Sequence, residues 1–163
     1  PVTTHIQLKN VDKVLSEKKL KSSINNIISF YKKINKEINI IILGLNPHAS
    51  MDFNANTKDN KLLNKVIKYF KKKKINISGP VSADTAFMEN VNNKVFVGMY
   101  HDQVLIPFKT LNKFDGINIT IGKKILRLSP DHGTAKNLKG NKKIISNESF
   151  LRCIDFCTKK FNV

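Results

Sequence analysis

The feature that most restricts the fold is a pair of unbroken apolar runs, Ile40 to Leu45 and Val95 to Tyr100. Neither alternates with a period of two, so neither reads as a strand with one wet face. Each reads as a strand covered on both faces, the condition of a parallel sheet. Both are far shorter than the ~20 residues needed to cross a bilayer. Helical patterns surround them. Ser16 can cap a helix running to about Lys36, with Ile24, Ile27, Ile28, Tyr31 and Ile34 at helical spacing. A second helix, about Thr57 to Lys73, presents Leu63, Val66, Ile67 and Phe70 on one side. Ile75 to Ile77 predicts a short strand, and Ser82 a cap for a short helix containing Asp84. Gln103 to Leu111 predicts a helix with a bend near Pro107. Ile117 to Ile121 and Ile125 to Leu128 should pair across Gly122-Lys123. Ser146 can cap a last helix to about Phe161, with Phe150, Ile154, Cys157 and Phe161 on one face. Helices alternating with buried strands predict a layered α/β domain. The polar segment Asp131 to Asn147 is the one candidate boundary.

The net charge of +17 raises the question of nucleic acid. Nearly all of the positive charge is lysine, Arg127 and Arg152 being the only arginines. Specific readers of bases and phosphates lean on the arginine fork, and no aromatic platform accompanies the lysines. The charge therefore reads as a solvated surface rich in Lys, Asn and Ile. Its densest run, Lys71 to Lys74, ends a predicted helix, where cations complement the dipole. Cys153 and Cys157, four apart on a predicted helix, are poorly set for a disulfide and read as small core residues. A reducing cytoplasm is expected, with no signal peptide and no membrane partner.

His5, His48 and His101 sit at informative places. His48 and His101 follow the two apolar runs, and ligands of open α/β sheets gather at the carboxyl ends of strands. Neutral imidazole is a common ligand of zinc and similar ions. Spacing alone leaves open that all three are hydrogen-bonded polar residues at strand ends.

Six segments occur in order: Thr3-Thr4-His5-Ile6-Gln7-Leu8, Gly44-Leu45-Asn46-Pro47-His48, Gly79-Pro80 with Ala83-Asp84-Thr85, Met99-Tyr100-His101-Asp102-Gln103, Asn118-Ile119-Thr120-Ile121-Gly122 and Asp131-His132-Gly133-Thr134-Ala135. Together they resemble the signature segments of the 4-hydroxythreonine-4-phosphate dehydrogenase family, over the later half of that family's length. The resemblance implies a three-layer α/β/α sandwich like the isocitrate and isopropylmalate dehydrogenases, C-terminal portion. It implies a metal- and substrate-binding, dimer-forming domain over 1–130, and part of a nucleotide-binding domain over 131–163. His5, His48 and His101 would bind a divalent metal (zinc, magnesium or cobalt), the third ligand coming from the partner of a homodimer. Three protein ligands leave positions open for a substrate hydroxyl. Lys109, Asn118 and Arg127 would bind a phosphorylated hydroxy amino acid. Lys109 reads equally as a surface lysine, whereas Arg127 interrupts an apolar strand and calls for an anionic partner. Asp84 and Asp102 would orient a histidine or move protons, Asp84 reading alternatively as a helix cap. His132, Gly133, Thr134 and Ala135 would form the adenosine-binding loop for NAD, or else an ordinary Gly-containing turn.

Three departures accompany the resemblance. After His48 the family carries Gly and an acidic residue in a Gly-rich loop, where this chain reads Ala49-Ser50-Met51-Asp52-Phe53. The stretch after Ala135 is one residue longer than usual and rich in Lys and Asn. The family's first half, with most of the nucleotide-binding domain, has no counterpart, and a fragment without dehydrogenase activity is expected. The rival readings are a paralogous dehydrogenase of another phosphorylated hydroxy acid, and a basic nucleic-acid-binding module.

Overall fold

The apolar run beginning at Asn39 forms the middle of a parallel sheet. In this computed structural model, which describes residues 1–52, 56–88, 90–121, 125–131 and 146–161, β1 (Asn39–Leu43) lies between β2 (Ile77–Val81) and β3 (Lys94–Val97) and runs parallel to both. Its side chains feed two cores in alternation. Ile40 and Ile42 join one cluster, Ile41 and Leu43 the other. The first face is covered by α2 (Glu17–Lys33) and α3 (Asn64–Lys72), through Leu20, Ile24, Val66, Ile67 and Phe70. On the opposite face α4 (His101–Asn112) contributes Val104 and Leu105, beside Ala83, Ala86 and Phe87. These are the three layers expected for an α/β fold, and each large apolar side chain they bury contributes roughly 1.5–3 kcal/mol.

The local signals account for most element ends. Ser16 caps α2, its hydroxyl accepting from the Lys19 N–H at 3.3 Å. A single turn, α1 (Val11–Val14), precedes it and buries Val11. The second helix opens with a π-helical turn, Asp59–Leu63, before α3. Three segments differ from expectation. The strand at Ile75 begins later, because the Ile75 N–H still donates to Phe70 O at 3.2 Å in the turn that ends α3. The strand from Val95 ends at Val97, because the backbone at Gly98 and Met99 turns to other partners, described below. No helix forms at the described residues 83–88. The Ser82 hydroxyl donates to Asp84 Oδ1 at 2.5 Å instead of capping, and residues 83–87 make turns.

The chain divides into two compact units, Pro1–Pro107 and Phe108–Val163. In the second unit β4 (Ile117–Ile121) and β5 (Leu126–Pro130) pair antiparallel, with Ile119 opposite Leu128. Gly122 and Lys123, the expected turn, lie outside the described residues. The last helix, α5 (Glu148–Phe161), packs on this hairpin, and Ser146 Oγ accepts from the Glu148 N–H at 3.2 Å as its sequence suggests. Its packed side is not the expected one. Ser149 and Cys153 are buried, while Phe150 and Ile154 are 54% and 48% exposed. Ser149 fixes the rotation: its hydroxyl donates to Gly116 O and accepts from the Asp131 N–H at 3.1 Å. Both cysteines are free thiols. Among the described residues no helix is long and apolar enough to cross a membrane.

Candidate functional site

Two histidines meet where β3 gives way to α4. The first residues of the chain run beside the end of β3, Val2 N–H donating to Gly98 O at 2.7 Å and Thr3 Oγ1 to Met99 O at 2.6 Å. Thr3 is fully buried, so this edge is fixed. Two residues on, His5 adopts a left-handed backbone, φ 48°, which turns its ring toward the first residue of α4. The His5 and His101 rings stand 5.6 Å apart, centroid to centroid. His101 Nδ1 lies 2.7 Å from Asp102 Oδ1. A carboxylate on Nδ1 sets the tautomer and leaves Nε2 for a ligand, the usual surroundings of a metal-binding imidazole. An open hollow of about 460 Å³ adjoins the pair, lined among others by Thr3, Tyr100, Asp102 and Gln103.

His48 belongs to a different loop and shows the same chemistry. Its Nδ1 bonds to Asp52, and that carboxylate, by hydrogen bond and then by charge, raises the imidazole pKa. The Asp84 charge adds a smaller push in the same direction. The Asp84 carboxyl is in turn held below its ordinary value, first by the Ser82 hydroxyl, then by backbone N–H groups, and last by His48. His48, Ala49 and Ser50 are three successive left-handed residues, with φ of 49°, 50° and 62°. Such conformations cost roughly 1–2 kcal/mol each for non-glycine residues, so the surroundings must hold them.

Two buried side chains brace this loop and its base; Asp59 is not marked out by any motif, and Gln103 only by its place in a signature segment. Asp59, wholly buried, accepts from Leu45 N–H at 2.5 Å, Asn46 N–H at 3.3 Å, Asn46 Nδ2 at 2.6 Å and Ser50 Oγ at 2.7 Å. Gln103, in the first turn of α4, accepts from Met99 N–H at 2.7 Å and donates to Gly44 O at 2.6 Å. It thereby ties the exit of β3 to the exit of β1. Gly44 is needed here because a Cβ would sit 2.6 Å from Ala49 Cα. The signals available were slight: an acid at the start of a helix, and a glutamine two residues after His101.

The expected metal ligands thus divide. His5 and His101 are adjacent, whereas no group of three His, Cys, Asp or Glu among the described residues is close enough to hold an ion. The donors fit a divalent ion chemically, two imidazoles with carboxylate-held or free nitrogens, but they make an incomplete set.

The expected substrate residues lie in the second unit. Asn118 stands opposite Ser129 and Arg127 opposite Thr120, which puts both on one exposed face of the hairpin. Arg127 therefore does not demand the anionic partner that a buried strand position would have required. Lys109 is not free: its Nζ reaches Asp131 O at 3.0 Å and Asp131 Oδ2 at 3.3 Å. His132, Gly133, Thr134 and Ala135 lie outside the described residues.

The model of the family described as pyridoxal phosphate biosynthetic protein PdxA matches residues 1–157. The chain belongs to this family. It is 38% identical over 157 residues to the 4-hydroxythreonine-4-phosphate dehydrogenase of Sulfurihydrogenibium sp. (strain YO3AOP1), covering 94% of this chain and 48% of that protein. To the enzyme of the same name from Aquifex aeolicus it is 36% identical over 157 residues, covering 94% and 49%. Among solved structures, 4-hydroxythreonine-4-phosphate dehydrogenase from Klebsiella pneumoniae superposes with a TM-score of 0.78 at 31% identity, covering 95% of this chain and 47% of that one. The chain therefore spans about half the length of the PdxA relatives it matches.

Proposed function

We propose that the whole protein oxidises the C3 hydroxyl of 4-phosphooxy-L-threonine with NAD and a divalent metal. Loss of carbon dioxide from the resulting 3-oxo acid would give 3-amino-2-oxopropyl phosphate, a pyridoxal phosphate precursor. The observation that carries this reading is the His5–His101 pair at the carboxyl end of a parallel sheet, with Asp102 on His101 Nδ1, in a chain of the PdxA family. A bound divalent ion would supply Lewis acidity toward the substrate oxygens, and NAD would accept the hydride.

The chain's own residues take the remaining roles. His5, His48 and His101 would offer three imidazole nitrogens, one of them from the partner of a homodimer. Asp102 would hold the His101 tautomer. Asp84, kept ionised by Ser82 and facing His48, would accept a proton. Lys109, Asn118 and Arg127 would bind the phosphate and carboxylate, Lys109 exchanging Asp131 for the substrate. His132 to Ala135 would meet the adenosine of NAD. Residues 1–130 would serve metal, substrate and dimer, 131–163 the nucleotide. The chain by itself should lack activity, and the whole protein should work in the cytoplasm.

The test is NAD reduction by the protein completed with its first half, assayed with 4-phosphooxy-L-threonine and with phosphorylated four-carbon sugar acids under zinc, magnesium or cobalt. Reduction with the threonine derivative is expected. Turnover of a sugar acid alone would assign the protein to a paralogous dehydrogenase. No turnover of either would overturn the reading.

A further inference from the structure

We propose that Asp59 is the positioning residue of the His48 loop, the buried acceptor that makes three successive left-handed residues affordable and so aims the imidazole. This rests on the reading of His48 as a metal ligand. Four donors converge on one carboxylate: Leu45 N–H and Asn46 N–H before the left-handed stretch, Asn46 Nδ2, and Ser50 Oγ at its end. The segment from Leu45 to Ser50 is therefore gripped at both ends, with His48 between the two grips. Asn46 Nδ2 also reaches Ser50 Oγ at 3.2 Å, closing the loop on itself.

The placement is not explained by stability alone. Asp59 is wholly buried, yet no Lys, Arg or His among the described residues forms an ion pair with it. The neighbouring Lys58 turns away, to Asp12 and to Leu15 O. A buried carboxylate without a cation is costly, and its hydrogen bonds and its place in the first turn of a helix compensate. An apolar residue would fill the same space without that cost, but it would leave four loop donors with no common acceptor. The π-helical turn Asp59–Leu63 fits the same account, since single π turns are frequent at functional sites. Gly44 completes the mould by letting Ala49 approach. His48 meanwhile remains accessible, its side chain 57% exposed, so the mould holds the backbone while the ring faces outward.

The experiment uses the full chain with zinc or cobalt as the probe. Affinity is measured by chelator competition, and the His48 ring nitrogens are followed by imidazole ¹H–¹⁵N spectra without metal. Asp59→Asn keeps the shape but turns one acceptor into a donor facing other donors. It should weaken divalent-ion affinity by about 10–100-fold and shift the His48 ring resonances. Val66→Ala, a core change in α3 that removes none of the four hydrogen bonds, serves as the control for general destabilisation, and should move neither readout. Equal effects of the two variants, or an unaltered Asp59→Asn, would overturn the proposal. Should Asp59→Asn fail to fold, Ser50→Ala removes one of the four donors and should produce the same two changes at several-fold size. A native chain that binds neither ion would remove His48 as a ligand, while the metal-free spectra would still decide whether Asp59 positions it.

Discussion

Replacing Gln103 by leucine tests whether one buried amide holds the exits of β1 and β3 together. The side chain is 9% exposed, and its two bonds, 2.7 Å from Met99 N–H and 2.6 Å to Gly44 O, join backbone groups that no other described partner satisfies. Leucine has nearly the same volume but neither a donor nor an acceptor. It leaves one buried N–H and one buried carbonyl orphaned, each costing about 1–3 kcal/mol. The gain from burying a more apolar side chain returns about 1 kcal/mol, so the net loss should be about 3 kcal/mol. For a unit of about 100 residues this is a fall of about 12 °C in Tm. Urea and thermal unfolding followed by circular dichroism will measure it, the chain having no Trp for fluorescence. Gln103→Glu separates the two bonds. Its carboxylate can still accept from Met99 but opposes the Gly44 carbonyl, and protonation restores a donor. This variant should be weak at neutral pH and recover in mild acid. A Gln103→Leu loss below about 0.5 kcal/mol would show that the two strand exits are held by packing alone.

Gly44→Ala would place a Cβ 2.8 Å from Ala49 Cβ and 3.2 Å from Asp59 Oδ1, so stability to urea should fall by about 1–3 kcal/mol and the Leu45 amide should lose hydrogen-exchange protection; unchanged protection would refute the close approach. Lys21 and then Lys65 hold the Glu17 carboxyl down to about 2, against an ordinary value of 4.5. A depressed acid stabilises above its unfolded pKa and loses that contribution as pH falls through the folded one. The stability difference between native protein and Glu17→Gln should therefore be full above pH 4.5 and gone near pH 2, as urea midpoints across that range will show. On α5, Phe150→Ser should change stability by less than about 0.5 kcal/mol, while Cys153→Ser, which buries a hydroxyl, should cost about 1–3 kcal/mol; the reverse order in thermal melts would mean that the other face is packed.

The fold was largely legible because its signals are periodic and local. The run Ile40 to Leu43 is apolar on both parities, which only a strand between two cores can satisfy, and the structure gives it two. Leu63, Val66, Ile67 and Phe70 repeat at helical spacing and are buried together. Ser16 and Ser146 announce helix starts because a hydroxyl there meets free N–H groups. The signature segments also brought His5 and His101 to attention, and the topology then set them side by side.

Tertiary structure decided the rest, where several partners compete for one group. Ser82 could cap a helix or bond Asp84, and the sequence cannot say which acceptor is nearer; the structure gives Asp84. The packed side of α5 follows from Ser149 meeting Gly116 and Asp131, contacts with no trace in helical spacing. Asp59 gave no signal for the same reason, and the role of Gln103 was not legible although its segment was singled out. Each is a lone polar residue whose meaning lies in convergent partners, some of them far off in the chain, as Asn46 is 13 positions from Asp59 and Gly44 is 59 from Gln103. Periodicity records which face of an element is apolar, but convergence of hydrogen-bond partners exists only once the chain has folded.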